Sequence, residues 1–162
     1  MGFERIWSPW RKAYVTSGAK DPGCVFCRAL EQAADPASLV AHVADHTFVV
    51  MNLYPYNAGH VMIAPRRHVG SLAEATPEEL SETMQLARRL ETVMAEVYTP
   101  DGINAGINLG KAAGAGVLDH IHLHMVPRWV GDTNFMTTLS GTRVIPEDPL
   151  EACAKLKAAL AK

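Results

Sequence analysis

Three histidines at alternate positions are the most informative feature of this sequence. His120, His122 and His124 stand in an otherwise apolar stretch. Because successive side chains of a strand point to opposite faces, the three imidazoles are expected to share one face, roughly 6.6 Å apart along the strand. Ile121 and Leu123 would then point the other way, into a core. Such a row could bind a linear anion such as a phosphate chain, or it could supply metal ligands.

An imidazole in this row has the chemistry of a nucleophile. With a pKa near 6.5 it is largely neutral at pH 7, so its lone pair can attack phosphorus while the other ring nitrogen keeps its proton. A second imidazole, in its protonated form, could bind phosphate oxygens or assist the leaving group. Two other interpretations stay open: the histidines are merely solvated, or they only bind metal, since paired strand histidines commonly chelate zinc.

Two closely spaced cysteines suggest a second site. Cys24 and Cys27 have the spacing of zinc ligands and also that of a redox dithiol. No strand–helix–strand pattern surrounds them, which argues against the redox interpretation. The remaining alternative is a pair of buried thiols without metal. Three cysteines in this arrangement do not resemble a disulfide framework, and we expect a cytoplasmic protein.

Length and composition limit the classes of function. A chain of 162 residues is long enough for one domain with a substantial core. The formal net charge of −2 gives no general reason to expect binding to nucleic acid or to a membrane. No apolar run approaches the roughly 20 residues of a membrane span. The N-terminus also lacks the apolar stretch of a signal peptide.

Short apolar segments around the histidine row predict an antiparallel sheet. A turn at 54–59 joins two of these segments into a hairpin with a longer loop. A Gly/Ala-rich loop at 110–116 precedes the histidine strand, and its backbone N–H groups could approach a phosphate, unless it is only a flexible turn. The other predicted strands cover 40–43, 47–53, 60–64 and 103–109.

Three helices are expected beside the sheet: a short one over 24–34, a long one before Pro100 and a last one opened by Pro149. The long helix has a start signal in which Thr76 caps and Glu79 completes a capping box. Helices set apart from hairpin-joined strands indicate an α+β fold with an antiparallel sheet of about five strands. The predicted apolar stripes are Leu80, Met84, Ala87, Leu90, Met94 and Val97 in the long helix, and Leu150, Cys153, Leu156 and Leu160 in the last.

The segment His120-Ile-His122-Leu-His124-Met-Val126 resembles the pattern His-φ-His-φ-His-φ-φ, with φ apolar, of the histidine triad nucleotide hydrolases and transferases. Upstream, Asn52, Gly59-His60 and the segment 62–65 are similar to the nucleotide-binding hairpin of that family. The flanks at 7–11 and 127–135 resemble the branch related to diadenosine polyphosphate hydrolases and phosphorylases. The similarity covers roughly residues 24–128.

The resemblance implies one histidine triad domain over 1–162. Within it, 1–23 would be an N-terminal arm, 24–128 the core, and 129–162 a C-terminal extension carrying the last helix. The family forms homodimers, often by extending the sheet across two chains. A homodimer is therefore expected, with a nucleotide substrate as the other partner.

The resemblance also implies roles for individual residues. His122 would attack the α-phosphorus of a nucleotide and form a nucleotidyl-histidine intermediate. His124 would bind the α-phosphate oxygens and help the leaving group depart, and His120 completes the catalytic triad. Asn52 and Asn108 would contact ribose or phosphate, with His60 supporting the pocket.

Three further residues are candidates for binding substrate on their own chemistry. Gly114 and Gly116 belong to the Gly/Ala loop, and Arg128 follows the histidine strand and could reach phosphate or be an ordinary surface cation. One departure limits what the resemblance carries over. Many members have Gln and a Ser or Thr, which contact phosphate, where this chain has Gly116 and Val117. The resemblance therefore does not predict which leaving group this protein prefers.

A zinc site is implied in the same way. In zinc-bearing relatives the remaining ligands resemble His68 and His120. Together with Cys24 and Cys27 they would form a closed Cys2His2 site of the structural type. That site would attach the arm to the sheet and leave His122 and the last triad histidine free for phosphate. Magnesium could accompany the substrate.

The favoured function is cleavage of dinucleoside polyphosphates at the α-phosphate. The acceptor could be water, giving a hydrolase, or inorganic phosphate, giving a phosphorylase. Alternatives are a nucleotide-binding regulator with little turnover, a nucleoside phosphoramidase and a metal-binding structural protein. A DNA-end adenylate hydrolase is disfavoured by the pI near 6.4 and the absence of a basic tail.

Overall fold

A five-stranded antiparallel sheet lies at the centre of the computed structural model, which describes residues 23–132 and 147–162. The sheet order is β1-β2-β3-β5-β4, so the strand that carries the histidine row lies between β3 and β4. The predicted α+β architecture is confirmed. The predicted motif at 7–11 and nearly all of the predicted arm lie outside the described residues. The strands are β1 Val40–Val43, β2 Thr47–Met51, β3 Val61–Pro65, β4 Gly102–Ile107 and β5 Leu123–Arg128.

Most observed strand ends lie within two residues of the predicted ones. The second and fourth predicted strands stop two residues early. A larger difference is that β5 begins at Leu123, so His120 and His122 precede the regular strand. The cause is the backbone N–H of Ile121, which donates to the carbonyl of Val69 at 2.8 Å, in a loop rather than in a strand.

Three helices accompany the sheet: α1 Val25–Glu31, α2 Pro77–Tyr98 and α3 Pro149–Leu160. The capping box of α2 is confirmed, because Thr76 accepts from the Glu79 N–H while the Glu79 carboxylate accepts from the Thr76 N–H. α1 is shorter than predicted. No helix in the described parts of the chain is both long enough and apolar enough to cross a membrane.

The helices divide the sheet into two faces. α2 and α3 pack with Val49, Ile63, Leu123 and Met125 into the larger core. On the opposite face, Phe26 of α1 packs with a second cluster of Val40, Phe48, Val50 and Ala64. Met62 contacts this second cluster and pairs in register with His124. The histidine face is therefore the face covered by α1.

The apolar stripe of α2 begins one residue earlier than predicted. Leu80 is 37% exposed and Met84 is 64% exposed, so neither is a core residue. The buried stripe instead starts at Glu79, whose carboxylate accepts two hydrogen bonds from Arg67 at 2.8 Å. Because that charge is paired, a polar residue can occupy a core-facing position. In α3, Leu150 is likewise exposed, whereas the rest of its predicted stripe is buried.

Candidate active site and metal centre

The three triad imidazoles lie on the α1 face of the sheet. The ring centroids of His122 and His124 are 4.8 Å apart, and Phe26 contacts both His120 and His122 at 5.1 and 4.7 Å. His120 is fully buried and His122 is 7% exposed. The alternation predicted for this segment is confirmed, because Leu123 and Met125 enter the opposite core.

One hydrogen bond fixes the tautomer of His122. Its Nδ1 lies 2.9 Å from the carbonyl oxygen of His120. A carbonyl can only accept, so Nδ1 carries the proton and donates. Burial lowers the pKa of His122, and the neutral ring then keeps its lone pair on Nε2. The lone pair that could attack phosphorus is therefore on Nε2 of His122.

A second set of hydrogen bonds fixes the protons of His60 and His124. The backbone N–H of Tyr56 donates to Nδ1 of His60 at 3.0 Å. In a neutral ring this leaves the proton on Nε2, which donates to Nδ1 of His124 at 2.9 Å. His124 must then carry its own proton on Nε2. That N–H is the donor with which His124 can bind an anionic oxygen.

Burial keeps this pair of rings neutral. It lowers the pKa of His60 to about 3, with His124 and His122 adding a smaller effect. Burial, followed by the neighbouring His122, lowers the pKa of His124 to about 4. The lowered pKa of His124 favours a neutral ring at pH 7 over the protonated second imidazole expected from the sequence. His124 acts as a neutral hydrogen-bond donor.

The hairpin between β2 and β3 holds His60 in place. Asn52 lies with its Nδ2 3.3 Å from Nδ1 of His60, while its Oδ1 accepts from the Tyr54 N–H at 2.9 Å. Gly59 has φ +70°, and a Cβ there would lie 2.7 Å from the Tyr98 ring. Glycine is therefore required for the close approach of the hairpin to α2.

The remaining predicted substrate residues line the β4 side or the loop that follows. In register, Gly106 pairs with His124 and Ile107 with Leu123, where the ladder ends. Asn108 is the residue that follows β4 and is half-buried. A Cβ at Gly106 would meet no atom within 4 Å, so the space beside His124 is open. Gly114, at φ +92°, and Gly116 lie in the exposed loop.

Arg128 is engaged by protein groups. Its Nε and Nη2 donate to the two oxygens of Asp132 at 2.6 and 2.8 Å, and its Nη1 donates to Asn104 at 2.7 Å. Asn57 donates to the same carboxylate at 2.6 Å. Arg128 also lies about 13 Å along the strand from His124. The geometry favours a structural ion pair that holds the hairpin, rather than the predicted contact with substrate.

Four side chains converge beside the histidine row as a candidate metal centre. Their ligand atoms, on Cys24, Cys27, His68 and His120, all lie within 4.8 Å of one another. Nδ1 of His120 is 3.2 and 3.7 Å from the two sulfurs, and Nδ1 of His68 is 3.5 Å from Cys27 Sγ. Tetrahedral zinc, with bonds of about 2.3 Å to sulfur and about 2.0 Å to nitrogen, separates its ligands by about 3.3–3.8 Å.

The second nitrogen of His120 supports the same assignment. Nε2 of His120 lies 2.8 Å from the carbonyl oxygen of Pro65, so it donates and leaves Nδ1 unprotonated toward the sulfurs. Metal-binding histidines commonly anchor their other nitrogen in this way. The four side chains therefore fit a zinc ion.

Sequence reasoning missed two aromatic residues of the site. The Tyr56 ring stacks on His124 at a centroid distance of 5.8 Å and contacts His60 in a tilted arrangement at 4.6 Å. Phe26 lies against His120 and His122. A signal for Phe26 was present, because a helix that brings both cysteines of a Cys-x-x-Cys segment to His120 also brings the residues between them.

The neutral histidine pair makes folding sensitive to acid. His60 has a pKa near 6.5 when unfolded and about 3 when folded, so its contribution is complete above pH 6.5 and is lost as the pH falls toward 3. Between pH 7 and pH 5 the loss from this residue is about 2 kcal/mol. In His60→Gln, which keeps an acceptor and a donor, we expect the decrease in the free energy of unfolding between pH 7 and pH 5 to be smaller by that amount. Urea unfolding at the two pH values measures it.

The matched control is His46→Gln, which removes an exposed imidazole outside the row. Its free energy of unfolding should decrease between pH 7 and pH 5 as much as that of wild type. If the free energy of unfolding decreases equally in wild type and His60→Gln, the hypothesis that His60 and His124 are both neutral in the folded protein is contradicted.

Comparison with known proteins identifies the family. The family profile described as HIT domain matches residues 34–130. AP-4-A phosphorylase of Mycobacterium tuberculosis is 38% identical over 151 residues, which cover 89% of this chain and 77% of that protein. Bis(5'-adenosyl)-triphosphatase of Dictyostelium discoideum is 38% identical over 82 residues, covering 51% of this chain and 54% of that protein.

A solved structure gives the same result. It is described as a Zn-bound histidine triad family protein from Mycobacterium smegmatis, and it superposes with a TM-score of 0.68 at 34% identity. The superposition covers 86% of this chain and 94% of that one. Because the matched profile also covers more than half of the sequence, this protein belongs to the histidine triad (HIT) family.

Proposed function

We propose that this protein is an enzyme that cleaves dinucleoside polyphosphates, such as diadenosine tri- or tetraphosphate, at the α-phosphate. The observation that carries the proposal is the hydrogen bond from His122 Nδ1 to the His120 carbonyl, because it leaves a lone pair on Nε2 of a neutral ring. The names of two relatives, AP-4-A phosphorylase and bis(5'-adenosyl)-triphosphatase, support the substrate class.

In the first step, Nε2 of His122 attacks the α-phosphorus. A P–N bond forms, and the P–O bond to the rest of the polyphosphate breaks with its electron pair on the departing oxygen. The product is a nucleotidyl-histidine whose Nδ1–H still donates to the His120 carbonyl. Donation to a carbonyl becomes stronger as the ring acquires positive charge, which favours the intermediate.

His124 stabilises the transferred phosphoryl group. Its Nε2–H, directed by the bond from His60, donates to an oxygen on phosphorus where negative charge accumulates. A polyphosphate departs as an anion without being protonated. A neutral donor is therefore sufficient, and a lowered His124 pKa does not hinder this step.

In the second step an acceptor releases the nucleotide. An acceptor oxygen attacks phosphorus, the P–N bond breaks, and its electron pair returns to Nε2. Water would give a nucleoside monophosphate and lose a proton to solvent, whereas inorganic phosphate would give a nucleoside diphosphate. We favour phosphate because the relative that matches 89% of this chain is named a phosphorylase.

The substrate is proposed to lie along the open side of the row, next to β4. The missing side chain at Gly106 provides room beside His124, and Asn108 follows the end of β4 two residues later. Asn108 would contact ribose or phosphate, and the loop of Gly114 and Gly116 would supply N–H donors. His60 and Asn52 would act through His124. Magnesium would enter only as a counter-ion of the polyphosphate.

The metal centre is proposed to be a structural zinc site. Cys24, Cys27, His68 and His120 would hold the ion, and four protein ligands leave no open position for substrate. Zinc would supply binding free energy that stabilises the fold, and it would join α1 to the segment that carries the triad. The superposition with a Zn-bound histidine triad protein of Mycobacterium smegmatis supports this choice of metal.

A homodimer through β4 is proposed as the assembly. β4 is an edge strand of the sheet, its residues are largely exposed, and an edge presents unpaired N–H and C=O groups. Leu80 of α2 and Ile107 of β4 line one apolar groove, and exposed Met84 follows Leu80 by one turn. Pairing two β4 strands would cover this apolar surface.

The nucleophile can be tested by trapping. Wild-type protein, quenched after mixing with labelled diadenosine tetraphosphate, should carry a nucleotide on the peptide that contains His122. His122→Ala should lose turnover by at least about 10³-fold while its unfolding free energy stays near wild type. His46→Ala serves as control. Label on another residue, or wild-type turnover in His122→Ala, would refute the assignment.

Product analysis of the same reaction, with and without inorganic phosphate, identifies the acceptor: a nucleoside diphosphate indicates phosphate and a monophosphate indicates water.

Zinc is tested by elemental analysis of purified protein. We expect about one zinc ion per chain, falling to near zero in Cys24→Ser because one thiolate ligand is lost. Cys153→Ala, which removes the buried cysteine of α3, should retain the metal. Metal-free wild-type protein would contradict the zinc proposal and leave the catalytic one standing.

The dimer is tested by light scattering coupled to size-exclusion chromatography. Wild type should have twice the mass of one chain, and Met84→Glu should shift it toward the monomer because the charge would be buried at the interface. Val130→Glu places the same charge at a site that is 91% exposed and should remain dimeric. A wild-type monomer would exclude the proposed assembly.

A further inference from the structure

We infer that Phe26 is a positioning residue for the attacking imidazole: its ring, carried on α1, holds the His122 ring at the angle set by the His120 carbonyl. The inference rests on the proposed function only in taking His122 as the nucleophile. Its evidence is the packing of the two rings, which exists whatever the substrate is.

The His122 ring needs a second constraint besides its hydrogen bond. The bond from Nδ1 to the His120 carbonyl fixes one atom of the ring but leaves it free to tilt about that atom. The ring makes an edge contact with His124, at 4.8 Å and an interplanar angle of 73°. It also contacts Phe26 in a tilted arrangement, at 4.7 Å and 37°. The tilt of His122 is therefore limited by these two neighbours.

Phe26 is itself held firmly. It is 3% exposed and packs with Val40, Phe48 and Val50 on the α1 face of the sheet. It also contacts the His120 ring at 5.1 Å, so one side chain touches both the donor and the acceptor residue of the critical hydrogen bond. A displacement of Phe26 would be transmitted to both.

The cysteines that flank Phe26 determine where it lies. α1 has seven residues, too few for a helix that is stable alone, and the residue that precedes it, Cys24, makes no side-chain cap. Its position therefore depends on tertiary contacts, among them those of Cys24, Phe26 and Cys27. The two thiols approach His120, whereas Phe26 approaches His122. One Cys-Val-Phe-Cys segment thus contacts both the metal centre, through its two cysteines, and the His122 ring, through Phe26.

Removal of the Phe26 ring should loosen His122 without emptying the substrate site. In Phe26→Ala the imidazole would gain room to tilt away from the His120 carbonyl, which lowers the fraction of molecules with Nε2 aimed at phosphorus. Misplacement of a reacting group by about 1 Å costs up to roughly a hundredfold in rate. We expect kcat to fall about ten- to a hundredfold, with KM changed less than about threefold. Phe26→Leu, which keeps an apolar side chain, should recover part of the rate.

The experiment combines these kinetics with proton–nitrogen correlation spectra of nitrogen-15-labelled histidines. Wild-type His122 should show one tautomer with its proton on Nδ1. Phe26→Ala should show an averaged or mixed tautomer for His122, and Phe26→Leu an intermediate signal. Zinc content is measured in parallel to show that Cys24 and Cys27 are still joined to His120.

Leu30→Ala is the matched control. Leu30 lies on the same helix and packs against the same apolar cluster. Its loss should also destabilise α1, though less because Leu30 is only partly buried, while leaving the His122 spectrum and kcat at wild-type values.

Three results would overturn the inference. The first is a wild-type His122 spectrum in both Phe26 variants, and the second is the same spectral change in Leu30→Ala. The third is a rise in KM with unchanged kcat in Phe26→Ala, which would mark Phe26 as a binding residue. If wild type turns over no dinucleotide, the proposed function fails, yet the spectra still decide whether Phe26 positions the ring.

Discussion

Crowding of uncharged imidazoles is the constraint on which the rest of the site depends. His60, His122 and His124 have ring centroids within 5.1 Å of a neighbour; the first two are buried and His124 is half-buried. Charged rings could not be packed so closely, and neutral rings each need one donor and one acceptor contact. Backbone groups supply two of these contacts, the His120 carbonyl to Nδ1 of His122 and the Tyr56 N–H to Nδ1 of His60. Acid sensitivity and nucleophilicity are two results of the same arrangement.

Backbone geometry, rather than side-chain chemistry, sets the proton positions in this site. The His120 carbonyl is available to His122 because the chain has not yet joined the regular strand there, and the Ile121 N–H bonds instead to Val69. The Pro65 carbonyl at the end of β3 plays the corresponding part for His120. The end of β3 and the segment that leads into β5 therefore supply acceptors that a continuous ladder would have consumed.

Much of the fold and the site could be predicted from the sequence, for identifiable reasons. Period-two alternation indicated the face of His124, and Thr76 with Glu79 gave the start of α2, because both signals are local. The register of Leu80 and Met84 was wrong, since hydrophobicity alone could not show that Glu79 is paired with Arg67 and buried. The ion pair of Arg128 could not be predicted for the same reason: its partner, Asp132, is recognisable only once the chain is folded.

The Tyr56 N–H has a consequence for how this site tolerates sequence change. It is a main-chain group, so every residue at position 56 except proline would supply the same donor to His60. The backbone path of the hairpin therefore determines which nitrogens of His60 and His124 carry protons. Substitution of the side chain at position 56 does not change this. Proline there would leave Asn52 as the remaining described donor at that nitrogen, at the longer distance of 3.3 Å.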